Sequence, residues 1–228
     1  MSIPAFLEYI SLEKKCSQHT LKAYRSNLET FEKFIVEQSA EDTLDGVSYG
    51  EIRAWIVSLI QSGNSPRTVN RKISVLRSYF KFLLRIGGIS VSPLKEHKAL
   101  KTDTKVQLPF FQEEIQRLFT ADFFPDDYTG TLQKTLIQLF YYTGIRRSEL
   151  IELKVQEVDF SAGLMKVLGK RNKERLLPLL PEIKMQLKQL REMQKQCQIP
   201  RDSDCFFINN RGKKLHATFV YETVKTYL

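Results

Sequence analysis

The sequence predicts a mainly helical protein with a small β-sheet: an all-helical first half and an α+β second half. Three observations carry this. Apolar residues recur at three- and four-residue spacing through residues 1 to about 90. A lysine-bearing stretch with glycines, a proline and little periodicity follows. Beyond residue 157 the period shortens to two over short runs bounded by turn residues.

In the first half, Ser17 can cap a helix over about 18–38, with Leu21, Tyr24, Leu28, Phe31 and Ile35 on one face. Ser48 followed by Glu51 has capping-box form, and Ile52, Trp55, Ile56 and Leu59 supply the stripe. Ser65 can cap the next helix, Pro66 suits its first position, and Gly87 its end. At 100° per residue that helix divides. Val69, Ile73, Leu76, Phe80 and Leu84 share one side; Arg67, Arg71, Ser74, Ser78, Lys81 and Arg85 share the other.

A solvated helix face normally mixes signs, and this one does not. Between Arg67 and Lys105 stand ten basic residues and two acids, a net of +8 against +9 for the whole 228-residue chain. Positive charge with interspersed hydroxyls suits a surface laid against nucleic-acid phosphates. The candidate DNA-binding residues here are Thr20, Arg25, Arg67, Thr68, Arg71, Lys72, Lys81, Arg85 and Lys105. The competing reading is a helical protein-interaction module whose basic face merely meets water.

The sequence divides into a helical domain over 1–92, a basic linker over 93–108 and a second domain over 109–228. In the second domain FQEEIQRLF reads as a short helix. An apolar helix over about 130–143 should be buried, and Gly144 can end it with positive φ. Ser148 can then open the helix SELIELK. Glu157–Phe160, Leu164–Leu168 and Arg175–Leu179 read as strands, the last two as a hairpin with Lys170, Arg171 and Lys173 at its tip. Pro181 opens a helix to about 197, Cys205–Asn209 is strand-like, and Ala217–Tyr227 is helical.

Arg146 lies between two helix ends, where a guanidinium and unpaired N–H groups can hold an oxyanion. It can equally pair with Glu149 or Glu152 and anchor the turn. Composition excludes other classes. Cys16, Cys197 and Cys205 form neither a metal-ligand spacing nor a disulfide framework, which points to free thiols and a cytoplasmic setting. The N-terminus lacks the basic region of a secretory signal, and no apolar run is long enough to span a membrane. No cofactor is called for, and no carboxylate or histidine cluster has metal-ligand spacing.

TGIRRSELIEL followed by LGKRNKERLLPL resembles the tyrosine recombinases of the phage-integrase family, most closely the Xer branch. The family's pattern is Thr-Gly-Leu-Arg, then Ser-Glu-Leu, then a hairpin with Gly-Lys-Gly-x-Lys-x-Arg; here Ile145 replaces leucine and Arg171 the second glycine. SQHTLKAYRSNLETFEKF and SPRTVNRKISVLRSYFKFL resemble its helical core-binding domain.

The resemblance implies cleavage and rejoining of double-stranded DNA through a 3′-phosphotyrosine, with no metal or external energy. It gives Arg146 the role of neutralising the phosphate and Lys170 that of general acid for the 5′-oxygen. It gives Glu149 a supporting role toward Arg146. It also implies a tetramer on paired sites for the full-length form. The family's His-x-x-Arg block and nucleophilic tyrosine are missing: His216 is followed by Ala217-Thr218-Phe219, and Tyr227 falls too early. The expectation is a truncated catalytic domain: a fragment that binds DNA as a monomer and does not cut it. A recombinase-like DNA-binding regulator without catalysis is the alternative.

Overall fold

A computed structural model describes residues 3–38, 44–103, 108–120, 123–169 and 173–228. The chain divides into two units, Met1–Gln107 and Leu108–Leu228. Lys105, Lys170 and Arg171 lie outside the described residues.

The first unit is built on four α-helices: α1 (Ile3–Leu12), α2 (Gln18–Gln38), α3 (Tyr49–Gln61) and α4 (Pro66–Arg85). Their starts follow the local chemistry. Ser48 and Glu51 form the reciprocal capping box, with Ser48 N–H donating to Glu51 Oε2 at 2.8 Å and Glu51 N–H to Ser48 Oγ at 3.3 Å. Ser65 Oγ accepts from the Thr68 N–H at 3.3 Å, and Pro66 takes a first-turn position that needs no donor.

Phe6, Leu28, Phe31, Ile52, Trp55, Leu76 and Phe80 fill the core, where the Phe31 and Trp55 rings lie 4.7 Å apart. The apolar stripe of α4 runs through Val69, Ile73, Leu76 and Phe80 and ends on Leu83, while Leu84 is 39% exposed. Sequence reasoning had placed Leu84 on the stripe. Beside the stripe, Phe82 packs on Phe6 of α1 at 5.5 Å and on Tyr9 at 5.0 Å.

The segment after α4 is not extended away from the helices. Leu94 is buried, and the side chain of Asn70 pairs with the backbone of Leu100. Asn70 Nδ2 donates to Leu100 O at 2.8 Å and Leu100 N–H donates to Asn70 Oδ1 at 2.9 Å. Lys95, Lys98 and Lys101 stay exposed along this strap.

The second unit holds α5 (Gln112–Thr120), α6 (Tyr128–Thr143), α7 (Arg147–Glu152), α8 (Pro181–Gln196) and α9 (Ala217–Tyr227). Its antiparallel sheet has the order β1 (Val158–Asp159), β2 (Leu164–Leu168), β3 (Glu174–Pro178). In the register Met165 faces Leu177 and Leu168 faces Glu174. Met165, Val167 and Leu177 point into a core shared with Leu136, Leu150, Leu187 and Phe206. Gly144 ends α6 at φ +59°.

Three sequence expectations are corrected here. Helix α7 starts one residue ahead of Ser148, with Arg146 as its N-cap. Val155–Glu157 is a 3-10 turn, so only Val158 and Asp159 of the expected first strand pair. Cys205–Asn209 forms no strand: its only ladder contacts among the described residues are single bridges, Lys154 to Cys205 and Ile208 to Lys214. The apolar signal there arises because Cys205, Phe206, Phe207 and Ile208 are all buried in succession rather than alternating, and Phe206 and Phe207 join a core made by both helices and sheet.

Candidate functional site

The turn from α6 to α7 positions Arg146. Gly144 reverses the chain, buried Ile145 pins the turn, and Arg146 follows at the helix N-cap. One turn into α7, Glu149 folds back. Its Oε2 accepts the Arg146 N–H at 2.9 Å, and its Oε1 accepts from Arg146 Nη1 at 2.7 Å. From β3, Arg175 Nη2 donates to the same Oε2 at 2.8 Å. The Glu149 side chain is 2% exposed, against 57% for Arg146 and 38% for Arg175. A buried carboxylate thus orients two guanidinium groups that keep open faces.

This arrangement decides between the two readings of Arg146 in part. At the start of α7 Glu149 takes the N–H of Arg146, the residue just ahead of the helix. The ion pair is present, yet Arg146 remains largely exposed, so its guanidinium stays open to a phosphate. Burial pushes the Glu149 carboxyl up, but the hydrogen bonds from Arg146 and the charges of Arg175 and Arg146 outweigh it. The net result lies below the ordinary carboxylate value.

The hairpin reaches this corner. A Cβ built on Gly169 would stand 3.2 Å from Lys173 O, 3.4 Å from Glu149 Oε1 and 3.7 Å from Arg146 Nη1. The Gly169 N–H donates to Lys173 O at 2.7 Å and closes the base of the tip. The residue adjoining Lys170 therefore lies against the Arg146–Glu149 pair. Lys173 itself is exposed. Arg175 is the residue that sequence reasoning left out of the site, although it is the final arginine of the hairpin pattern GKRNKER.

In the helical unit the basic candidates separate by what they touch. Ser17-Gln-His-Thr20 and Ser65-Pro-Arg-Thr68 build the same cap at the starts of α2 and α4. In both, the serine and threonine hydroxyl oxygens are 3.0 Å apart and the threonine N–H donates to serine at 3.3 Å. Arg25, Arg67, Arg71 and Lys81 are exposed. Lys72 turns inward instead, with its ammonium 3.2 Å from Asn27 Oδ1 and 6.0 Å from the Trp55 ring centre. Burial, then the charge of Arg71, lowers its pKa. Arg85 donates to the Tyr9 hydroxyl at 2.9 Å and pairs with Glu13 at 3.6 Å, which holds it on α1.

Comparison with known proteins accords with this geometry. Residues 3–87 match the phage integrase N-terminal SAM-like domain, and residues 110–228 match the phage integrase family. Among curated relatives, the tyrosine recombinase XerC of Oceanobacillus iheyensis is 34% identical over 222 residues, spanning 93% of this chain and 70% of its own length. The XerC of Thermodesulfovibrio yellowstonii is 36% identical over 231 residues, spanning 99% and 74%.

Two solved structures share the fold. The Tn1549 transposon integrase in complex with transposon right end DNA aligns with a TM-score of 0.77 at 18% identity, covering 100% of this chain and 78% of that one. A lambda integrase tetramer bound to a Holliday junction gives 0.69 at 17%, covering 99% and 61%. A helical unit followed by an arginine–carboxylate corner and a basic hairpin is the layout of a site-specific DNA recombinase. The chain belongs to the phage integrase family of tyrosine recombinases, with XerC-like proteins among its relatives.

Proposed function

We propose that this chain serves site-specific recombination by binding duplex DNA and holding the scissile phosphate at Arg146. The observation that carries the reading is the Arg146 guanidinium, fixed on one side by buried Glu149 and open on the other. A preorganised cation of this kind stabilises the charge that builds on phosphorus during transesterification. Lys170, next to Gly169 in the chain, is the proposed general acid for the leaving 5′-oxygen. Glu149 acts through Arg146 as a positioning residue.

Residues 1–92 are assigned as the core-binding domain, 93–108 as a basic strap along the duplex, and 109–228 as catalytic-domain sequence. Arg25, Arg67, Arg71 and Lys81, with the hydroxyls of Thr20 and Thr68, supply exposed phosphate contacts. Lys105, Arg171 and Lys173 extend that set. These 228 residues contain no His-x-x-Arg block, and we read them as a monomer that binds DNA without cutting it. Assembly as a tetramer on paired sites is assigned to the full-length form. Free cysteines and a DNA substrate favour the cytoplasm; among the described residues no helix is long and apolar enough to cross a membrane.

The test is duplex binding across a salt series, with a denaturing gel on a nicked trapping substrate. Steeply salt-dependent binding without a covalent adduct is expected. A covalent adduct would sink the inactivity claim. Salt-independent or absent binding would sink the DNA reading and favour a protein-interaction module.

A further inference from the structure

The second unit carries a cluster of cations that the recombination chemistry does not use. Lys154, Val155, Gln156, Arg191, Arg201 and Asp204 line a cavity of about 360 Å³. Neither Arg146, Glu149, Gly169 nor Arg175 belongs to its wall.

Its two arginines are built in. The Arg191 guanidinium lies 5.7 Å from the Phe206 ring centre and is half-buried. Arg201 donates through Nη2 to the Cys205 carbonyl and through Nη1 to Gln194 Oε1 at 3.3 Å. Gln194 is buried and donates to the Tyr128 hydroxyl at 3.0 Å, which in turn donates to Ile208 O at 2.6 Å. The loop holding Arg201 is clamped from the other side. Gly212, at φ +77°, brings its Cα so close to Pro200 that a Cβ would stand 1.7 Å from the proline carbonyl oxygen.

The charges in the cavity do not balance. Asp204 is taken by Lys154 at 2.9 Å. Glu157 accepts the Lys154 N–H at 2.8 Å, and Glu192, beside Arg191 in the chain, pairs with Lys195 at 3.2 Å. Among the described residues no carboxylate is within ion-pair distance of Arg191 or Arg201, although the Asp204 pKa is lowered by Lys154 first and also by the charge of Arg201. Burial, then the charge of Arg201, lowers the Arg191 pKa. Arg191 is half-buried and Arg201 exposed, and two like charges held in proximity attract an anion between them.

We propose that the cavity walled by Arg191, Arg201 and Lys154 is a second anion site and takes a phosphate group. Arg191 and Arg201 would grip the oxygens through charge-assisted N–H donors and the Gln156 amide can donate at the rim, while Lys154 stays paired with Asp204. The phosphate could come from a DNA backbone or from a free phosphomonoester; the recognising chemistry is the same. The assignment stands without the recombinase reading, because phosphate binding is measured without DNA.

The experiment titrates inorganic phosphate and adenosine monophosphate into the 228-residue chain by calorimetry, for the parent and for Arg191→Gln, with duplex affinity measured across salt for both. Saturable phosphate binding that weakens about ten-fold or more in the variant is expected. If the slope of log affinity against log salt also falls by about 0.9, the group is a DNA phosphate. An unchanged slope assigns the site to a free phosphomonoester. No saturation in the parent, or equal binding in the variant, overturns the proposal. Should Arg191→Gln fail to fold, Arg191→Lys gives the same readout with a smaller expected loss.

Discussion

Glu149 of α7 and Arg175 of β3 stand 26 residues apart and are joined by a 2.8 Å ion pair whose carboxylate end is buried. That contact fastens the hairpin to the helix that begins at Arg146. Removing either partner should therefore affect more than a local bond.

Arg175→Ala leaves Glu149 buried with a single guanidinium partner. Both arginines are partly exposed, so the loss is discounted from that of a fully buried pair, to about 1–3 kcal/mol. Chemical denaturation should show this loss in the second unit. Arg175→Lys should recover only part of it, since an ammonium cannot reproduce the planar fork.

The pH dependence has a defined sign. The folded-state pKa of Glu149 lies below its unfolded value, so its contribution is fully present above the ordinary glutamate value of about 4.3. It is lost as the pH falls through the depressed folded value. In Glu149→Gln the stability profile on the acid side should be flatter than in the parent; identical profiles would show that this carboxylate is not linked to folding.

The exposed and inward-turned cations of α4 should separate experimentally. Arg67→Ala and Arg71→Ala should each lower the salt slope of duplex binding by about 0.9 with little change in melting temperature. Lys72→Ala should do the reverse. It loses the contacts to Asn27 and Trp55, costs about 1 kcal/mol of stability, and leaves the slope unchanged.

Gly212→Ala should destabilise the second unit by about 2 kcal/mol or more. It combines a left-handed φ with a backbone collision that no side-chain motion can relieve. A melting temperature equal to that of the parent would contradict the tight approach to Pro200.

Much of this fold was legible because local signals agreed with one another. Ser48 with Glu51, Ser65 with Pro66, and Gly144 after an apolar run each mark a helix end by a bond that needs only near neighbours. Arg146 and Glu149 were legible for the same reason, being one helical turn apart. The failures share a cause too. Leu83 rather than Leu84 is buried, and Cys205–Ile208 are buried in succession, because packing against elements distant in sequence decides which apolar residues are covered. Arg175 was passed over because its partner lies on another element. The inward turn of Lys72 depends on Asn27, 45 residues away, which no periodicity within α4 can show.

The paired hydrogen bonds between Asn70 and Leu100 close a loop of 30 residues and make the lysine strap part of the folded body of α4. Order in the strap is therefore coupled to order in the helix. A polyanion that grips Lys95, Lys98 and Lys101 draws on a segment whose entropy has already been lost in folding. By mass action such a ligand also raises the melting temperature of the helices, with no need to touch them.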